Sequence, residues 1–372
     1  TSNELRRGLE THGVPGDLTI TPKSGLYFNT VVADFESLYP SCIDSYNLSY
    51  ETVDCQHEEC KTNQVSDTGH YVCTKRRGFL AALVGALKDL RIRWFKPQTK
   101  DTALSEIERR QAETTAKMIK LLTVSSYGVT VRIHGLACPP LAESITGYGR
   151  WALQTAWNTA EKYGLHPVYG DTDSLFLENA PKTKVDQLLK TVKEEMRLDL
   201  AVERHYSVCV LSAAKKAYFG ILPDGTPDLK GLTAIKSNAP KYIQDVFKTS
   251  VKELATVKNS KEYEQAKKKI TSIVENSIKD LRNRKFKTED MIFSIRLDYD
   301  PRKKIASKFL PQPYQCAKQL IDSGTNVKEG DIVNFIKVKP FTYQGREFTV
   351  KPADQVKNTS EINVEDYVRN LT

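Results

Sequence analysis

The chain has 372 residues, 40% hydrophobic and 27% charged: an ordinary globular composition, too long for one core and suited to two or three domains or subdomains. A net charge of +9 and a pI near 9.0 point to an anionic partner, nucleic acid before membrane. No apolar run approaches the ~18–20 residues of a membrane span. Seven cysteines, an odd count in a long chain, argue against a secreted disulfide framework and for a reducing, cytoplasmic setting.

No signal peptide opens the chain, and its first residues, TSNELRRGLETHGVPGD, read as the middle of something longer. A strand is expected over Phe28 to Phe35, breaking into a turn or short helix before Pro40. A polar stretch rich in Cys and His follows, from Asp54 to Arg77. Apolar residues at 3–4 spacing then predict a helix over Phe79 to Phe95 and another from about Ser105 to Tyr127, joined by QTKDTALS as an antiparallel hairpin. A helix from Ala142 ends at Gly164, and HPVYGDTDSLFLE reads as two short strands around an acidic turn. A helix (Lys184 to Met196) and strands in SVCVLSA and AYFGIL close an α+β block near Gly231. Beyond it the chain reads as mostly helical to about Leu320, with a β tail in GDIVNFIKV and REFTVKP. The charge excess is local: between Lys241 and Lys308, 18 Lys and Arg stand against 10 Asp and Glu.

The chemistry gathers at two acidic places. Asp171 and Asp173 flank Thr172 in YGDTDS, and Asp34 ends the first strand in VVADFESLYPS. If that strand and the hairpin share a sheet, three carboxylates meet. Such a cluster repels itself unless a divalent cation neutralises it. Two Mg²⁺ (or Mn²⁺) held by carboxylates and substrate phosphates are the standard solution for in-line phosphoryl transfer.

DFESLYPS, KMIKLLTVSSYG and YGDTDS resemble, in order and spacing, motifs A, B and C of family B DNA polymerases, archaeal members most of all. KKAYFG and KGLTAIK resemble the KKxY segment and the entry to the thumb. The resemblance covers nearly the whole chain. It implies the polymerase right hand, an α+β fold: an antiparallel-sheet palm in residues 1–78 and 129–231, helical fingers in 79–128 and a mostly helical thumb in 232–372. It implies template-directed addition of dNTPs to a primer 3′-OH, with Asp34 and Asp173 as the main metal ligands and Asp171 third. Leu38 and the Tyr39 backbone are expected under the triphosphate, with the Tyr39 ring against the sugar to exclude a 2′-OH. Lys120, Arg91 and Tyr127 with Gly128 complete the nucleotide site; Arg93 and Lys96 are candidates to assist Arg91. Lys215, Lys216, Tyr218, Lys230 and Lys236 are expected at the primer–template. The implied partners are primer–template DNA, dNTPs, a sliding clamp and a second chain with the amino-terminal and exonuclease domains; the implied location is the nucleoid.

Departures from the family pattern leave a rival open. Motif B normally has asparagine three residues before its tyrosine, where this chain has Val124. A non-catalytic, DNA-binding polymerase-like subunit would fit that change; the intact Asp34, Asp171, Asp173, Tyr39 and Lys120 stand against it. An RNA-dependent polymerase is opposed by Tyr39 as a sugar gate. Separately, Cys55, His57, Cys60 and Cys73 form C-x-H-x₂-C-x₁₂-C, with His70 nearby. Thiolates and an imidazole at such spacing suit a structural Zn²⁺, although the spacing is not that of a standard finger. Reduced loop cysteines and a disulfide are the alternatives.

Overall fold

The computed structural model describes residues 18–132, 135–232, 238–255, 257, 259–307 and 309–371. The chain divides into two compact units, residues 1–206 with 211–215 and residues 207–210 with 216–372. Among the described residues no helix is long and apolar enough to cross a membrane.

In the first unit a sheet runs in the order β1-β3-β4-β2-β5, formed by β1 (Thr19–Ile20), β2 (Gly25–Phe35), β3 (His166–Asp171), β4 (Ser174–Glu178) and β5 (Leu200–Leu211). Strand β2 starts three residues before the expected Phe28, and β5 starts well before the expected Ser207. Strand β2 is central, and its second half, TVVADF, is apolar and buried except at Asp34. It pairs antiparallel with β4, Val31 opposite Leu177 and Asp34 opposite Ser174. Pro40 does not end the element it sits in. Helix α1 (Leu38–Ser45) starts two residues before it, because proline is tolerated in the first turn, where its missing N–H has no intrahelical partner.

Helix α2 (Phe79–Asp89) passes into a π-helical segment, Leu90–Phe95, and a closing turn, Lys96–Gln98. It is followed by the long α3 (Glu106–Arg132), so the expected hairpin is present, with a change of helical pitch that hydrophobic spacing does not reveal. Helix α4 (Pro139–Lys162) buries Leu141, Ile145, Ala152, Ala156 and Ala160 in the same core as Val31, Phe35 and Leu175. Helix α5 (Lys182–Met196) adds Val185, Leu188, Val192 and Met196 to it.

The second unit contains the β6 (Tyr218–Ile221) and β7 (Pro227–Lys230) hairpin and the helices α6 (Lys241–Lys252) and α7 (Ser260–Arg282). Its sheet is three-stranded and antiparallel, β10-β9-β8, from β8 (Phe293–Arg296), β9 (Ile332–Tyr343) and β10 (Arg346–Pro352). Strand β8 falls in the stretch expected to be helical; at four residues it is too short for period-two alternation to show. Between β8 and β9 come the short α8 (Pro301–Ile305) and α9 (Gln312–Asp322), whose buried Tyr314, Cys316 and Ala317 share a core with Phe335, Phe348 and Val350. The short α10 (Val364–Val368) follows β10 and buries Tyr367 beside Leu281, Met291 and Ile336.

Candidate active site

The three aspartates meet because one turn and one register bring them together. Asp171 ends β3, and its backbone carbonyl accepts the Asp173 N–H at 2.6 Å across Thr172, which takes a φ of 56°. Thr172 N–H is in turn held by the Leu18 carbonyl at 2.9 Å. Asp171 and Asp173 therefore sit at a hairpin tip and not on one face of a strand. The Asp173 carbonyl accepts the Phe35 N–H at 2.8 Å, which sets Asp173 beside the end of β2, where Asp34 lies. Asp171 Oδ1 accepts the hydroxyls of Thr19 and Thr172, both at 3.3 Å, so this carboxylate is tied into the turn.

Burial pushes the Asp34 carboxyl up to about 7, helped by the negative charges of Asp173 and then Glu203, while Lys120 and Arg204 pull the other way. Two of these groups, Glu203 and Arg204, escaped the sequence reading. They lie on β5, next to β2 in the sheet, in the part of the strand that reading left out. Burial first, and the two like charges after it, raise this carboxyl, a perturbation common at functional sites.

After β2 the chain turns sharply: Ser37 takes a φ of 54°, and α1 begins without a side-chain cap. Leu38 is buried, and the half-buried Tyr39 ring lies 5.0 Å from the ring of Tyr127 on α3, tilted by 50°. Gly149 of α4 keeps the room for this arrangement, since a Cβ there would stand 2.8 Å from Tyr39 Cε1. Motif A is also touched by cations of the π segment and the turn after it. Arg91 Nη1 is 3.5 Å from Ser37 Oγ, and Lys96 Nζ is 2.7 Å from Glu36 Oε1. Arg93 instead faces solvent, with Asp89 at 3.4 Å. Lys120 is exposed on α3, and so is Val124, at 48%.

Lys215 and Lys216 are exposed after β5, Lys216 with a φ of 62°. Tyr218 opens β6 opposite Lys230 at the end of β7, and Lys230 Nζ lies 3.8 Å from Asp228. Lys236 lies outside the described residues. Away from this site, Cys55, His57, Cys60 and Cys73 present ligand atoms that all lie within 4.8 Å of one another.

The family model described as DNA polymerase family B matches residues 6–372. "DNA polymerase 1" of Sulfolobus acidocaldarius is 36% identical over 378 residues, covering 100% of this chain and 42% of the relative. "DNA polymerase 1" of Saccharolobus solfataricus is 35% identical, over 98% of this chain and 41% of the relative. The chain thus spans about two fifths of the length of the curated relatives it matches. The solved family B DNA polymerase of the hyperthermophilic archaeon Pyrobaculum calidifontis superimposes with a TM-score of 0.68 at 26% identity, over 96% of this chain and 45% of that one. On a match running almost from end to end, the chain belongs to DNA polymerase family B.

Proposed function

We propose that this chain is the catalytic portion of a DNA-directed DNA polymerase, which adds dNTPs to a primer 3′-OH under the direction of a template. One observation carries the reading: Asp34, which burial and then the charges of Asp173 and Glu203 raise to about 7, stands at the end of the strand of motif A beside the Asp173 of motif C. In this reading residues 1–78 and 129–231 are the palm, 79–128 the fingers and 232–372 the thumb.

The donor set fits Mg²⁺, a hard cation that takes carboxylate oxygens and has its own reason to bind where two carboxylates repel. Asp34 and Asp173, with Asp171 alongside, would hold two such ions, which when bound would supply a lowered pKa for an attacking hydroxyl and charge neutralisation for a leaving pyrophosphate. The protein's own residues do the rest. Lys120 and Arg91 bring positive charge to the triphosphate, with Lys96 held in reserve on Glu36. Tyr39, braced by Tyr127 and Gly149, presents a rigid ring to the sugar. Lys215, Lys216, Tyr218 and Lys230 meet the primer–template, and the lysines of α6 and α7 grip its phosphates without reading sequence.

The test is base-directed addition. Offered one dNTP at a time on a defined template, the chain should extend the primer only with the complement of the next template base. Equal use of all four would contradict template direction. Equal use of dNTPs and rNTPs would contradict the role of Tyr39.

A further inference from the structure

We propose that Cys55, His57, Cys60 and Cys73 hold a structural Zn²⁺, and that this ion fastens the root of α2, the first helix of the fingers. It lies apart from the carboxylate site and does not depend on its chemistry.

The donors form a closed set. A short 3-10 turn, Glu58–Thr62, follows His57 and carries Cys60, while backbone bridges Val53 to Val72 and Gln64 to Tyr71 bring Cys73 alongside Cys55. A tetrahedral site with Zn–S of about 2.3 Å has edges of about 3.8 Å. Cys73 Sγ and His57 Nδ1 are already 3.5 Å apart, and since the remaining separations are at most 4.8 Å, none needs to contract by more than about 1 Å. Three thiols and an imidazole select a borderline-soft tetrahedral ion over Mg²⁺ or Ca²⁺, which take oxygen. All three cysteines are free and buried, yet among the described residues the small cluster they form has Tyr71 as its one apolar neighbour. A core made of thiols has little to hold it closed, and a metal supplies that. The outer groups are in place as well: Tyr71 Oη donates to the Cys55 carbonyl at 2.6 Å, and Thr74 N–H to Cys60 Sγ at 3.4 Å. His70 is engaged elsewhere, with Asp54 at 2.7 Å and Glu143 at 3.1 Å, which leaves four ligands among the described residues.

The link to α2 runs through Cys73. Its N–H donates to the Thr52 carbonyl at 2.8 Å, and its carbonyl accepts from Asn47 Nδ2 at 2.9 Å. Asn47 and its neighbours also satisfy the opening amides of α2. Gly78 N–H donates to Asn47 Oδ1 at 2.7 Å, Phe79 N–H to Glu51 Oε1 at 2.5 Å, and Leu80 N–H to Ser49 Oγ at 3.0 Å. These are donors that a helix start leaves without intrahelical partners. Only glycine fits at 78, because a Cβ there would stand 2.4 Å from Ser49 Cβ. An ion that holds Cys73 therefore holds the segment Asn47 to Thr52, and with it the cap of the helix that carries Arg91 on its π-helical continuation.

The experiment combines metal analysis with amide exchange on the purified chain. Elemental analysis should find one zinc per chain, and Co²⁺ exchanged into the site should show the visible absorption of a tetrahedral thiolate centre. Removal of zinc by a chelator should speed exchange at Gly78, Phe79 and Leu80 by about tenfold, and zinc added back should restore it. The Cys60→Ser variant should lose the metal; chelation and add-back on the unaltered chain give the same test if that variant fails to fold. A metal-free chain as purified that takes up no zinc would overturn the proposal, as would iron with acid-labile sulfide in its place. Bound zinc whose removal leaves those amides unchanged would overturn the fastening of α2.

Discussion

Asp34 is a liability to the fold when no cation is bound, and its size follows from burial and the neighbouring charges. Its carboxyl is moved from 3.8 to about 7 by burial and by Asp173 and Glu203. At ~1.4 kcal/mol per unit this amounts to about 4 kcal/mol, which partial exposure to solvent reduces to about 2 kcal/mol. The folded carboxyl holds its proton more tightly than the unfolded one. Its contribution to stability is therefore intact below about pH 4, declines as the pH rises towards 7, and stays at its lowest above that. Asp34→Asn removes the charge, so in EDTA at pH 8 the variant should be more stable than the parent by about 2 kcal/mol, or ~4–8 °C in Tm for a unit of this size. At pH 4 the two should unfold alike. Mg²⁺ should recover part of the difference for the parent alone, and the variant should be inactive. The assay is thermal and denaturant unfolding of both proteins at the two pH values, with EDTA or Mg²⁺. A variant no more stable than the parent at pH 8, or a difference independent of pH, would refute the reasoning.

Three other outcomes follow from particular contacts. Gly149→Ala places a Cβ 2.8 Å from Tyr39 Cε1, so steady-state kinetics should show a several-fold rise in KM for dNTP with DNA affinity unchanged. Lys120→Ala removes a charge that lowers the Asp34 pKa and a phosphate ligand in the proposed site. A lost charged hydrogen bond of about 1.5–3 kcal/mol corresponds to a ten- to hundredfold fall in kcat/KM, measured by single-nucleotide addition. Tyr367 is buried, and its hydroxyl donates to the Met291 carbonyl at 2.8 Å and accepts from Lys337 N–H at 3.1 Å. Tyr367→Phe should cost the second unit about 1–3 kcal/mol in denaturant unfolding while leaving first-unit contacts intact.

The convergence of the candidate aspartates was legible because it is written in short runs. VVADFESLYPS and YGDTDS carry their aspartates at the ends of strands that hydrophobic runs announce, and register does the rest. What escaped depends on neighbours in space. Glu203 and Arg204 stand on the exposed, charged first half of β5, which reads as loop until the strand is seen beside β2. The π segment at Leu90–Phe95 hides inside a stretch whose apolar spacing suits an ordinary helix. Strand β8 is too short to alternate, and α10, with five residues, too short to show a helical period. The spacing of Cys55, His57, Cys60 and Cys73 suggested a metal. That they converge while His70 turns to Asp54 and Glu143 is a property of the fold, set by two backbone bridges.

The proposed reaction is template-directed nucleotide addition that depends on the carboxylates of Asp34 and Asp173. Its most direct test is extension of a labelled primer on a DNA template, with Mg²⁺ and dNTPs, by the chain and by its Asp173→Asn variant, with DNA binding measured in parallel. Extension by the chain, none by the variant, and equal DNA binding by both are the expected result. Extension by the variant at the parent's rate, or none by a chain that binds primer–template, would contradict it.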